Sequence, residues 1–443
     1  MQFVKTADLQ PGMRLAKPIY NKMGVLLYER NTKLTFQGIN SIENFGLIGI
    51  YILEPAEPLP PLSREDLEFE QFQTVYMFKL KDNMDKISNH AVPSSLLELA
   101  HDIRSRYGVL DHKLNFIQTL RSSADFVYKH SISTAILTAM ISNELYLDED
   151  NQIALILAAL LYDFGYLYIP QAVLDKGDEL SDSDREFIQM NLERGYDTIE
   201  PLFATAGLPQ MGLDIIQQMI FQKNEDAKLK TPSPMTKILV DILKVADRFD
   251  HLTTMSINKP PISEVAAMGE MQKNKAIYNP RVLNALSACI HILPTGACVD
   301  LSDGEKALIL EENPANFTHP MVLKFSNNMI YDLSDPIICQ NLRVIDIMKT
   351  MDNRIAIDEE TLKHFVADKY IQETMERFRR AKLESAKLQQ SKAEAVASSM
   401  EGFDSPSSSE ITGISDIAGI ADLSDIPVPA SEKKAPRKRM KLV

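Results

Sequence analysis

The sequence predicts a mainly α fold: a helical bundle with a small N-terminal α+β module and a short C-terminal β-hairpin. Three patterns carry this expectation. From about Leu67 onward apolar residues recur at helical spacing, and Ile132, Ala135, Ile136, Ala139 and Met140 lie on one face of a buried helix. Before that, short β-branched runs are broken at Pro11-Gly12 and Gly24, the punctuation of strands and a hairpin. After Pro294-Thr295-Gly296 the pattern shortens to alternating runs on either side of Asp303-Gly304. A chain of 443 residues holds roughly two to four folding units.

In order, residues 1–53 make the α+β module. VKTADLQPGMRL and PIYNKMGVLLYERNTKL supply strands, Phe36, Ile39 and Ile42 mark a helix stopping at Gly46, and LIGIYIL closes as a buried strand. Residues 54–66, EPAEPLPPLSRED, are proline-rich and charged and read as a linker. Lead-in helices fill 67–119, marked by Leu96, Leu97, Leu99 and Ile103, then Leu114 and Ile117. The main domain spans 120–340. Its helices cover Ser131 to Leu147, Ile153 to about Tyr162, Ile215 to Phe221, Ile238 to Phe249 and Asn279 to Leu293, before the hairpin of CVDLSDGEKALILEE and HPMVLKF.

Residues 341–397 form a C-terminal helical segment. Its charged helix from Glu359 sets Leu362, Phe365, Val366, Met375 and Phe378 on one stripe, suited either to its own domain or to a partner helix. Residues 398–443 read as a disordered tail. It runs acidic from Glu401 to Asp425 and basic from Lys433 to Lys441, the segregation of a solvated or interaction tail.

Composition narrows the function classes. Hydrophobic residues make up 45% and charged residues 24%, a globular balance, and the formal net charge of −14 disfavours nucleic acid and anionic membrane as partners. The opening MQFVKTADLQPGM lacks the cationic-then-apolar pattern of a secretory signal. Ile153 to Tyr162, the longest strongly apolar stretch, is far short of the roughly 20 residues a membrane span needs. Three cysteines without a CxxC pair argue against disulfides and cysteine-held zinc, so the expected compartment is the cytoplasm.

Four segments carry chemistry: ADFVYKHS (124–131), ALLYDFGYLYIPQAVLDKGDELSDSDREFIQMNLERGYDTI (159–199), KVADRFDHLTT (244–254) and ILPTGACVDLSDGEKALI (292–309). Their order and spacing resemble the HD-GYP family, bacterial metal-dependent phosphohydrolases of the HD superfamily that hydrolyse c-di-GMP. The resemblance covers about residues 120 to 340, and the N-terminal module is similar to one that often precedes such domains. It implies an HD-type helical bundle. In the family a histidine on the first helix is followed by a His-Asp dyad in a segment like LLHDIGKxxIP. A His-x3-Gly helix, a His-His-Glu…Gly-Tyr-Pro loop and an aspartate in a segment like VADxFDALT complete the metal site.

Several of those positions differ here. His130 matches the first histidine and Asp247 the last aspartate, but the dyad reads Tyr162-Asp163. The family's lysine in that segment is not reproduced, Gly165 being followed by Tyr166. Asn191 stands four residues before Gly195 where the family has histidine, and nothing around Met219 to Phe221 resembles His-His-Glu. The resemblance thus implies a degenerate member, with His130, Asp163 and Asp247 as residual metal positions and no catalytic residue assigned. Two-metal hydrolysis needs several imidazoles and carboxylates converging on one pocket. A phenol with a pKa near 10 is a poor substitute.

The expected cofactor complement is therefore none, or at most one weakly bound divalent metal. His251, one turn after Asp247, is a further residue for the same pocket. Read without the family, His130 is equally a core histidine bonded to Asp163, and Asp163 and Asp247 are helix caps or partners of Arg248. By the resemblance, Lys259 in HLTTMSINKPP and Lys176 in VLDKGDEL fall at phosphate-contacting positions, while Ser256 stands at the family's arginine. Lysines alone lack the bidentate fork of arginine. The function expected is that of a cytoplasmic regulatory or scaffolding pseudo-enzyme in a c-di-GMP or motility-related pathway. It would bind protein partners through its N-terminal module, C-terminal helix or tail, with oligomerisation left open. The alternatives are a weak metal-dependent phosphodiesterase and a non-hydrolysing cyclic-dinucleotide receptor.

Overall fold

The structure is a computed structural model that describes residues 2–44, 49–53, 63–118, 125–174, 176–221, 231–254, 261–313 and 316–347. The expected C-terminal helix, the tail and Lys259 lie outside the described residues.

Short strands and one helix build the N-terminal module: β1 (Gln2–Lys5), β2 (Arg14–Leu15), β3 (Ile19–Tyr20), β4 (Leu26–Tyr28), α1 (Phe36–Asn44) and β5 (Gly49–Leu53). β5 lies between β1 and β2, antiparallel to both, while β3 and β4 pair as a hairpin. Ile50 and Ile52 point from one face of β5 into a small core with Leu15, Ile19, Leu34, Ile39 and Ile42. The alternate residues Tyr51 and Leu53 are also buried, so the strand is apolar throughout, as a strand covered on both faces must be.

The helical body follows with α2 (Arg64–Ser88), α3 (Leu96–Tyr107), α4 (Phe126–Glu144), α5 (Glu149–Leu161), α6 (Gln171–Leu174) and α7 (Asp182–Thr205). It continues with α8 (Gln210–Phe221), α9 (Pro234–Thr253), α10 (Glu264–Lys273) and α11 (Pro280–Cys289). α2 begins inside the expected linker because Ser63 and Asp66 form a reciprocal capping box. Asp148 caps α5 and Ser233 caps α9, with Pro234 at its first position. α4 and α5 are the central pair. In α5 every residue from Gln152 to Leu161 is buried, which accounts for its lack of an amphipathic stripe.

The expected hairpin exists as β6 (Cys298–Leu301) and β7 (Lys306–Glu311), turning through Gly304 at φ +83°. It grows into a five-stranded antiparallel sheet, because β8 (Met321–Lys324) and β9 (Met329–Asp332) add on one side. After α12 (Pro336–Asn341), β10 (Val344–Ile347) returns to pair with β6. The added edge strands β9 and β10 are short and only partly buried, which is why periodicity marked them weakly. No helix among the described residues is long and apolar enough to cross a membrane.

Two glycines fix the approach to the site. The 3-10 turn Phe164–Tyr168 that follows α5 crosses α7 where Gly165 meets Gly195, and a Cβ on Gly195 would lie 2.5 Å from the Gly165 Cα. Backbone passes directly over backbone, and only hydrogen fits between.

Candidate functional site

Three elements bring polar side chains into the centre of the apolar body. α4 contributes His130 and the end of α5 contributes Tyr162 and Asp163. α9 contributes Asp247, Asp250 and His251, which share one helix face by their i, i+3, i+4 spacing. The His130 ring is wholly buried and bonded through both nitrogens. Nδ1 meets Asp250 Oδ2 at 2.5 Å, and Nε2 meets the Tyr162 hydroxyl at 2.6 Å and Asp247 Oδ1 at 3.1 Å. The Tyr162 hydroxyl donates to the same Asp247 Oδ1 at 2.8 Å. It thus occupies the place between imidazole and carboxylate.

Asp163 Oδ2 lies 3.3 Å from His130 Nε2 but has no hydrogen-bond partner, although the residue is buried. His251 Nδ1 sits 3.1 Å from the Asp247 carbonyl and 3.3 Å from Asp247 Oδ1, so this nitrogen carries a proton and donates. Phe126 stacks on His130 with centroids 5.4 Å apart, and His251 meets the same ring edge-on at 4.2 Å. The Phe126 ring thus covers one face of the His130 imidazole.

The charges follow from this packing. Burial opposes protonation of His130, yet hydrogen bonds to Asp247 and Asp250 outweigh it and hold its pKa up at about 9. The ring is an imidazolium at neutral pH. Burial likewise opposes ionisation of Asp247, but His251 and His130 hold its carboxyl well below the usual range. Burial pushes Asp163 upward, His130 pulls it back, and Asp247 adds to the rise. Burial, then Asp163 and Asp247, keep Tyr162 a phenol rather than a phenolate. A protonated imidazole therefore supplies positive charge among three aspartates.

The predicted residues His130, Asp163 and Asp247 do converge, and His251 joins them. Two details are corrected. The shortest bonds of His130 go to Asp250 and Tyr162 rather than to Asp163. Arg248 pairs with neither site aspartate but with Glu270 on α10 at 2.6 Å, because position i+1 on α9 points away from the cluster. Asp250 escaped the sequence reading. Its only signal was the i+3 spacing from Asp247, common to many acidic pairs on helices. Lys176 is exposed and bonded to both oxygens of Asp184 at 2.7 and 2.8 Å, at the N-terminus of α7. Asn191 is buried and donates to the Phe187 carbonyl at 2.8 Å.

The donor chemistry of the cluster suits a divalent cation. Among the described residues, His130, Asp247 and His251 each offer one ligand atom, all within 4.8 Å of one another. The orphaned Asp163 Oδ2 adds a fourth oxygen beside them. Two imidazoles and two carboxylates are a donor set for one transition-metal cation. To accept it, His130 Nε2 would have to give up its proton and release the Tyr162 hydroxyl and Asp247, while His251 could ligate through Nε2 with Nδ1 still donating to Asp247.

The fold and the cluster are those of a helical bundle built around a buried histidine–aspartate centre. Residues 115–282 match the family model described as the HD domain. Over 210 residues the chain is 21% identical to the cyclic di-GMP phosphodiesterase PA4108 of Pseudomonas aeruginosa, covering 46% of this chain and 49% of that one. Over 214 residues it is 23% identical to the cyclic di-GMP phosphodiesterase PdeB of Borreliella burgdorferi, covering 47% of this chain and 55% of that one. The match spans about half the length of these curated relatives. No solved structure is significantly similar. The resemblance to HD-GYP phosphohydrolases is supported on both counts.

Proposed function

We propose that this chain is a degenerate HD-GYP protein that works in c-di-GMP signalling without hydrolysing phosphodiesters. In this reading it is a regulatory or scaffolding component, binding protein partners through the N-terminal module or through its C-terminal segments. The observation that carries the reading is the Tyr162 hydroxyl, lodged 2.6 Å from His130 Nε2 and 2.8 Å from Asp247 Oδ1. There a neutral phenol and an imidazolium satisfy carboxylates that a metal pair would otherwise neutralise. A bridging hydroxide made by two cations is then not available to attack phosphorus.

One observation favours a second reading, a weak phosphodiesterase with a single metal. Asp163 Oδ2 is buried without a hydrogen bond beside His130, Asp247 and His251, as an oxygen awaiting a cation would be. There the four residues would hold the metal, and its chemistry would be polarisation of a phosphoryl oxygen.

A direct assay separates the two. Purified chain is incubated with c-di-GMP and Mn²⁺, Fe²⁺ or Mg²⁺, beside an Asp163→Ala variant, and nucleotide products are separated by chromatography. The expected result is no turnover above the variant and well below one tightly bound transition metal per chain. Turnover that Asp163→Ala abolishes would overturn the reading and establish the second one.

A further inference from the structure

The α+β module is linked through Gln118 to the helix that carries most of the site. Lys17, in the bend between β2 and β3, reaches out of the module. Its Nζ lies 2.7 Å from Glu70 Oε1 on α2 and donates to the Gln118 carbonyl at 3.2 Å. Both side chains of the ion pair are largely withdrawn from water, at 16% and 7% exposure. Gln118 is buried and uses its amide at both ends. Nε2 donates to Thr253 Oγ1 at 2.8 Å, and Oε1 accepts from Thr254 Oγ1 at 3.0 Å. Thr253 Oγ1 in turn donates to the Phe249 carbonyl at 2.8 Å. Thr253 stands in the last turn of α9, two residues beyond His251 and three beyond Asp250.

An unbroken polar path therefore runs from the module to the turn that supports three site residues. Because it is buried, severing any link strands a polar atom away from water. The module end is also incompletely satisfied. Neither carboxylate oxygen of Glu70 receives an aligned hydrogen bond, and the neighbouring Gln73 Oε1 has none.

We propose that Gln118 is a positioning residue through which the α+β module and the His130 cluster regulate one another. Whatever engages or displaces the module moves the last turn of α9. By linkage, a ligand at the site changes how tightly the module is held. The inference rests on reading that cluster as the functional site, whether or not it cuts phosphodiesters.

Hydrogen exchange on the full chain, read by mass spectrometry without any nucleotide, tests it in both directions. Lys17→Met cuts the module end and should raise exchange in the last turn of α9 about fivefold, the effect of one lost hydrogen bond. Thr253→Val cuts the site end and should raise exchange across residues 14–20 by a similar factor, while Thr253→Ser, which keeps the hydroxyl, should match the unsubstituted chain. Unchanged exchange in α9 on Lys17→Met, or a Thr253→Ser variant that behaves like Thr253→Val, overturns the proposal. If Lys17→Met unfolds the module, Gln118→Met leaves the ion pair intact, and the same two segments are compared in it. Exchange is blind to hydrolysis, so c-di-GMP turnover would sink the functional reading and leave this one standing, and absent coupling would do the reverse.

Discussion

At the residue scale, His130 is the centre on which the site depends. Three aspartates are arranged around one ring, and removing the ring would leave buried carboxylates without their cation. His130→Gln is therefore expected to cost about 3–5 kcal/mol in unfolding free energy, measured by urea titration. The pH dependence has a defined sign. The native imidazole titrates at about 9, above the unfolded value near 6.5. Its contribution is thus complete below about pH 6.5 and is lost as pH rises through about 9, a decline on the order of 3 kcal/mol. Asp163, raised by burial to about 6, titrates at the lower edge of this window, and Asp247 titrates well below it. Urea unfolding at pH 7.5, 8.5 and 9.5, above the Asp163 titration, should show that decline in the unsubstituted chain and its absence in His130→Gln.

At the element scale, the crossing of the post-α5 turn over α7 sets where Asp163 stands. Gly195 and Gly165 touch backbone to backbone, with no flexible side chain to yield. Gly195→Ala must push the turn away, at a cost of about 3 kcal/mol from overpacking. Its thermal midpoint should fall, and the aromatic circular dichroism of the neighbouring tyrosines should change. If the midpoint is unaltered, the close approach does not hold the turn. This contact illustrates a limit of reading helices from periodicity. Gly165 and Gly195 were visible as motif glycines, but each looked like a local stop or spacer. Only their meeting, across 30 residues of chain, explains why neither position has room for a methyl group.

At the scale of the whole molecule, the N-terminal module is seated on α2 rather than held by its linker alone. Gly24 in the β3–β4 hairpin takes φ +75° and packs so closely on Val75 that a Cβ would lie 2.7 Å from Cγ2, while Gln71 Nε2 donates to its carbonyl at 2.5 Å. Gly24→Ala combines a strained backbone with a clash and should lower stability by about 2 kcal/mol. Limited proteolysis should then cut within residues 2–44 before the helical body is touched. Equal protection of both parts would place the seat of the module elsewhere. The large C-terminal sheet carries a parallel lesson. Asp303-Gly304 announced a hairpin correctly, but the partner of β6 on its far side is β10, more than forty residues on, and nothing local in VIDI specifies that pairing.

The sequence by itself determined the helical class and pointed to His130, Asp163, Asp247 and His251 as neighbours, because period and motif spacing are local properties of the chain. Tertiary structure alone decided how they are used. It set Asp250 against His130 across 120 positions, turned Arg248 toward Glu270, and lodged the Tyr162 hydroxyl between ring and carboxylate. It also joined Lys17 to Thr253 through Gln118. These are contacts between segments far apart in the chain. Their energy comes from burial, which removes water as the competing partner and makes each unmade bond costly.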